Sequence, residues 1–147
     1  MVIKNLTCGI YLYHVEMDKI LIGHITDHNG MYSIPKGGME EGETYFDAAK
    51  RELFEETNID LDIINLIDSH QLSDVLYRTK RKTLKSFLIV IDEPLNNLNI
   101  KCNSTFIDNG VEKPEFDGYR WVGLNEIKFF VHESQIAPIS EIESFVY

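Results

Sequence analysis

Two apolar runs dominate the first part of the chain. Residues 6 to 14 and 19 to 26, rich in Ile, Leu and Tyr, are separated by the polar stretch Val15 to Asp18, a pattern that predicts two strands joined as a hairpin or meander. The turn-forming run Asp27-His28-Asn29-Gly30 closes the pair, and a short extended piece from Met31 to Ile34 stops at Pro35. Glycines at 37, 38 and 42 then predict a loop with no apolar period. Beyond it Phe46, Ala49 and Leu53 recur at helical spacing, behind a Thr44–Asp47 pair that resembles a capping box with the shorter acid. Asn58 is the predicted stop, because Asn tolerates the left-handed conformation that follows a helix.

Residues 59 to 69 and 84 to 91 predict further strands, and 92 to 113 a polar, Asn-rich connection with room for a short hairpin. Gly118 to Val122 predicts another strand, Leu124 to Phe130 a short helix, and Ser134 to Val146 a final helix interrupted by Pro138. With no internal repeat or linker, the mixture predicts an α/β or α+β sandwich around one core, a single domain over residues 1–147.

Composition narrows the classes. Acidic residues outnumber basic ones by 24 to 14, a net charge of −10 that argues against a broad nucleic-acid-binding surface while leaving room for a local basic patch. No apolar run approaches the roughly 20 residues needed to span a bilayer, and Met1 to Asn5 lack a signal-peptide layout, so a cytoplasmic protein without a membrane partner is expected. Cys8 and Cys102 form no Cys-x-x-Cys pair and are expected to be buried, reduced thiols. The five histidines lack metal-ligand spacing and no Ser or Cys near them forms a nucleophile motif.

The chemistry concentrates in residues 34 to 59. At about 100° per residue on a helix, Glu55 and Glu56 fall near −60° and +40° of Glu52, so three carboxylates share one arc about 100° wide. Ala49, Leu53 and Phe46 border that arc, which predicts partly sheltered glutamates. Like charges at this spacing destabilise a helix by a few tenths of a kcal/mol per pair, so the cluster calls for a compensating cation. A hard divalent ion that keeps several waters, magnesium or manganese, suits a site shared by carboxylates and substrate phosphates. Arg51, one turn before Glu55, is placed to pair with it, and Glu43 is placed to orient Arg51 or a water.

This segment resembles the signature of the Nudix hydrolase family: Gly37, five residues, Glu43, seven residues, Arg51-Glu52-Leu53, one residue, Glu55-Glu56, then one residue before the place of a Gly and an aliphatic. Gly38 lies within it, and the Tyr32, Ile34 and Pro35 lead-in also agrees. Asn58 departs, standing where the family usually has Gly. The resemblance implies an α/β/α sandwich with a mixed sheet and a magnesium-dependent pyrophosphohydrolase that cleaves a nucleoside diphosphate linked to some other group. It also implies Glu52, Glu55 and Glu56 as metal ligands, Glu52 as a candidate base, Arg51 as a catalytic-site residue and the carbonyl of Lys36 as a further ligand. An additional acid in some branches matches the region of residues 113 to 127, with Glu115 the first choice and Glu112 or Asp117 behind it.

Lys36 before Gly37 resembles the Pro-Lys-Gly variant of dinucleoside polyphosphate and diphosphoinositol polyphosphate hydrolases. A basic run of Arg78, Lys80, Arg81, Lys82 and Lys85, with Tyr77 beside it, offers contacts for a long phosphate chain. Tyr119 and Trp121 are candidates for base stacking. Together these lean towards dinucleoside polyphosphates such as diadenosine tetraphosphate, with an RNA 5′ pyrophosphohydrolase as the alternative. A nucleotide-sensing module without cleavage, or a purely structural domain, has no physical reason to keep a self-repelling carboxylate cluster. Which oligomer forms is open.

Overall fold

The structure, a computed structural model, describes residues 2–78 and 81–147, with side chains from residue 5 onward in that span. Lys80, one of the predicted phosphate contacts, lies outside the described residues.

The first apolar run forms β1 (Val2–His14), and β2 (Lys19–Ile25) turns back beside it at Tyr13↔Ile20. Asp18 and Asp27 take positive φ in the tight turns, as short polar side chains there can. β3 (Tyr32–Ser33) pairs with β2. Of the glycines expected in a loop only Gly42 lies in a turn, at φ 89°; Gly37 and Gly38 belong to β4 (Lys36–Glu40), paired antiparallel with β1 through Thr7↔Gly38 and Cys8↔Gly37. Its pairing is carried by backbone groups alone, so no apolar period announces it. One side of β1 is therefore shared, by β4 towards its start and β2 towards its end. The Ile10 N–H donates to the Pro35 carbonyl where they part (3.0 Å).

α1 (Tyr45–Thr57) follows, with the capping box formed at Thr44 and Asp47 and with Asn58 left-handed at φ 63°. Residues 59 to 65 are turns and not strand; Ile59 and Leu61 are buried there because they pack under α1 instead of alternating along a sheet. β5 (Leu66–Gln71) and β6 (Val75–Leu76) both pair with β7 (Thr83–Ile91), which runs parallel to β1 along its length. The predicted hairpin is present as β8 (Thr105–Asp108) and β9 (Val111–Pro114), followed by β10 (Phe116–Val122) against β2. The helix expected over 124–130 shrinks to a 3₁₀ turn at Ile127–Phe129, and the last segment divides into a 3₁₀ turn at Glu133–Gln135 and α2 (Ile139–Val146), with Pro138 between.

The mixed sheet runs β10-β2-β1-β7-β5, with eight strands among the described residues. Both of its faces are covered. Cys8, Ile10, Leu12, Phe87 and Ile89 face Ala49 and Leu53 of α1, whereas Tyr11, Tyr13, Leu88 and Val90 face Ile127, Ile139 and Ile142. A strand buried on both sides reads as a continuous apolar run, which is how β1 and β7 look in sequence. Each fully buried Leu or Ile contributes about 1.5–3 kcal/mol, so Leu53, with no exposed surface, fixes α1 and its carboxylates against the sheet. Among the described residues no helix is long and apolar enough to cross a membrane.

Candidate active site

The carboxylates of α1 face the strand that precedes them. The Lys36 N–H of β4 donates to Glu56 Oε1 at 2.8 Å, and Glu56 is only 7% exposed. A Cβ on Gly37 would stand 2.1 Å from Glu52 Cδ, so the missing side chain at 37 is the space that the Glu52 carboxylate fills. The Glu52 side chain is 13% exposed and that of Glu55, further round the arc, 39%. The predicted shelter is thus graded from Glu56 outward.

Arg51 organises the outer half of the site. Its Nε and Nη2 hold the two oxygens of Glu43 at 2.8 and 3.0 Å, and Nη2 also donates to the Gly38 carbonyl at 2.8 Å. Its Nη1 reaches Glu52 at 2.9 Å and Glu55 at 3.1 Å. A guanidinium has five N–H donors in a fixed fork, and these five contacts use them all. Glu43 further accepts from the Glu40 N–H at 2.8 Å, which ties the glycine turn to the helix. The Arg51 hydrogen bonds hold the Glu43 carboxyl below its ordinary range, and Glu43 in turn raises Arg51.

The inner half is different. Burial pushes Glu56 up to about 9, with the charge of Glu52 adding to it, and burial followed by the charge of Glu55 raises Glu52. The charge of Glu115 adds, as the smallest of the causes, to the upward shift of both. Asp117 is engaged elsewhere, with His24 at 2.5 Å, and Glu112 sits exposed in the β8–β9 hairpin. The repulsion foreseen on the helical wheel is therefore present and concerns four carboxylates. Glu52 and Glu55 turn towards Arg51, so among the described residues no three acidic, His or Cys side chains meet around one point.

A cavity of about 220 Å³ adjoins Lys36 and is lined by Tyr32, Ser33, Tyr77, His132 and Gln135. The Tyr77 and His132 rings lie nearly parallel, 5.8 Å apart at 22°. The Tyr77 hydroxyl is buried with no hydrogen-bond partner among the described residues, and His132 Nδ1 accepts from the Ser134 N–H at 3.1 Å, so a neutral ring carries its proton on Nε2. Gln135 is pinned by the Ile34 N–H at 2.9 Å and by its own donation to Ser33 at 3.0 Å. Sequence spacing gave His132 and Gln135 no role, because their partners lie 55 to 102 residues away. A larger hollow of about 310 Å³ lies outside α1 beside Lys50, Arg51 and Phe54, but Asp47 and Asp60 also line it.

The described members of the basic run do not form one patch. Lys85 pairs with Asp74 and lies 4.6 Å over the Tyr45 ring, near α1. Arg78 points out beside Glu133 at 3.4 Å, and Arg81 and Lys82 are exposed. Tyr119 donates its hydroxyl to the Glu56 carbonyl, and Trp121 packs against the core with its ring edge-on to His14 at 5.9 Å. Of the cysteines, Cys8 is buried as expected, but Cys102 is half-exposed in the connection before β8, where its Sγ–H reaches the Ser104 carbonyl at 3.2 Å.

A family model described as NUDIX domain matches residues 5–141. Among curated proteins the chain is 29% identical to an RNA pyrophosphohydrolase of Legionella pneumophila, over 95% of this chain and 83% of the relative. It is 29% identical to one of Francisella tularensis over 78% and 79%. Among solved structures it is similar to a C. elegans Ap4A hydrolase (TM-score 0.71, 19% identity, 95% of this chain and 97% of that one). An E. coli dihydroneopterin triphosphate pyrophosphohydrolase gives a TM-score of 0.68 at 19% identity, with 94% of each chain covered.

Proposed function

Because the chain belongs to the NUDIX domain family and is a Nudix pyrophosphohydrolase, we propose that it cleaves a nucleoside diphosphate linked to a further phosphate-bearing group, with dinucleoside polyphosphates such as diadenosine tetraphosphate the preferred class. The observation that carries this reading is the placement of Lys36. Its N–H holds Glu56 in the carboxylate cluster while its side of β4 lines the cavity of Tyr77 and His132. One residue thus joins the acidic centre to a pocket with two parallel rings, an arrangement suited to a base at one end of a phosphate chain.

The donor set fits a hard divalent cation. Glu52, Glu55, Glu56 and Glu115 offer only oxygen, and a carboxylate pushed up to about 9 by burial is one that a nearby cation would return to its charged form. Magnesium or manganese held there would acidify the attacking water and neutralise charge on the phosphates. The chain's own residues do the rest. Arg51 fixes the outer carboxylates, and Lys36 with the Tyr77–His132 pocket orients the substrate so that its anhydride faces the cluster. Water oxygen bonds to phosphorus as the bridging P–O bond breaks. The released proton passes to a carboxylate, Glu52 or Glu115; burial raises the affinity of Glu52 for protons, which suits a base.

A second reading is favoured by the relatives named RNA pyrophosphohydrolase, which are matched over most of their length. In that case the same centre would remove phosphates from an RNA 5′ end, with strong salt dependence in an acidic protein. A magnesium-dependent screen against diadenosine tetraphosphate, ADP-ribose, nucleoside triphosphates, diphosphoinositol polyphosphate and triphosphate-ended RNA, with products read by mass spectrometry, separates them. ATP plus AMP formed fastest supports the first reading. Preferred release of pyrophosphate or phosphate from RNA replaces it with the second, and silence across the panel overturns both.

A further inference from the structure

We propose that the Asn-rich connection is a strap that positions the metal-binding carboxylates, with Asn58 and Asn103 as its fastening residues; this rests on the reading of Glu55 and Glu56 as metal ligands. An α-helix leaves its last four carbonyls without partners inside the helix. In α1 the Phe54 carbonyl keeps the N–H of the cap residue Asn58, and those of Glu55, Glu56 and Thr57 are each met from outside the helix. The Asn103 N–H donates to the Glu55 carbonyl at 2.7 Å, the Lys101 N–H to Thr57 at 3.2 Å, and the Tyr119 hydroxyl to Glu56. Phe54 accepts from the Asn58 N–H at 2.8 Å and from Asn103 Nδ2 at 3.2 Å.

The two asparagine side chains complete the lock. Asn103 Nδ2 also donates to Asn58 Oδ1 at 2.9 Å, and Asn58 Nδ2 donates to the Asn99 carbonyl at 2.9 Å. The same segment continues to Ser104, whose carbonyl accepts the Glu115 N–H at 3.1 Å. Six consecutive residues, 99 to 104, therefore connect the turn that carries Glu55 and Glu56 to the backbone of Glu115. A Gly at 58 would keep the left-handed turn but delete both side-chain bonds. The one departure from the signature exchanges backbone ease for a fastener.

Asn58→Gly, Asn103→Ala and the double variant test this in the full chain. Mn2+ binding is measured by calorimetry without substrate, alongside melting temperature and substrate KM at saturating Mg2+. Each single variant is expected to bind Mn2+ about tenfold more weakly, as loss of a group that orients a metal ligand does, with KM unchanged. The double variant is expected to lose clearly less than the sum of the two singles, because both cut the Asn58–Asn103 bond. Mn2+ affinity within twofold of wild type in Asn58→Gly overturns the proposal, whatever the melting temperature does, and so do additive losses. Glu56→Gln keeps the two readings apart: if it binds Mn2+ like wild type the metal assignment itself fails, and if it alone loses binding only the strap fails.

Discussion

Adding one methyl group at Gly37 should damage catalysis far more than folding. The new Cβ would lie 2.1 Å from Glu52 Cδ and 2.3 Å from both carboxylate oxygens. Against an optimal separation of roughly 3.5 Å, the carboxylate must retreat by about 1.4 Å. It can do so, since it ends a flexible side chain, and Gly37 does not occupy a left-handed conformation that would strain Ala. Overpacking costs about 1–3 kcal/mol, offset by the roughly 0.4–1 kcal/mol that Gly→Ala gains by restricting the unfolded chain. A net loss of at most about 2.6 kcal/mol leaves a folded protein with a lower melting temperature. A misplacement of about 1 Å at a catalytic group costs on the order of 100-fold in rate. The expected result for Gly37→Ala is therefore a kcat lower by about two orders of magnitude, measured at saturating Mg2+ and substrate beside a melting curve. A folded variant turning over within twofold of wild type would refute the placement of Glu52 behind Gly37 as a catalytic feature.

Other perturbations probe separate parts of the site. Glu115→Gln should lower turnover by tenfold or more without shifting the melting temperature, and an unchanged rate would move the additional role to another acid. Arg51→Lys keeps the charge but loses the fork to Glu43 and Gly38, which should lower stability by about 1.5–3 kcal/mol, read by urea unfolding; wild-type stability would contradict the five-contact description. The pH dependence has a definite sign. Glu56 is raised from 4.5 to about 9, so between those values the metal-free folded protein holds a proton that the unfolded chain has released, and stability falls as pH rises. Mg2+ should stabilise the protein increasingly over the same range, and Glu56→Gln should flatten both trends in thermal melts; a metal-free stability that rises with pH in wild type but not in Glu56→Gln would reverse the sign assigned to Glu56.

The features legible in the sequence were those encoded locally. The helix, its Thr44–Asp47 cap, the left-handed Asn58 and the Arg51 contacts with Glu43 and Glu55 all follow from spacings of eight residues or fewer. What escaped was set by tertiary pairing. Gly37 and Gly38 form a strand because β1 offers its edge to their backbone. Ile59 and Leu61 imitate strand alternation while packing beneath α1. Tyr77 stands beside the basic run in sequence, but its partner His132 comes from the short stretch between the two helices predicted near the C-terminus. The basic run looked like one cluster because its members are close in sequence. Folding spreads Arg78 and Lys85 to different neighbours. In sequence the Asn-rich stretch is only a polar connection, and the C-terminal end of α1 is what explains Asn103.

The central claim is that the carboxylates of α1, with a divalent cation, hydrolyse a phosphoanhydride. Its most direct test compares wild type with Glu56→Gln across a Mg2+ titration on diadenosine tetraphosphate. Gln keeps the volume and can still accept the Lys36 N–H through its carbonyl oxygen, so the fold should remain. ATP and AMP formed by wild type in a Mg2+-dependent manner, with turnover lower by at least about 100-fold in the folded variant, is the expected result. Equal turnover by the two proteins at saturating Mg2+ would contradict it.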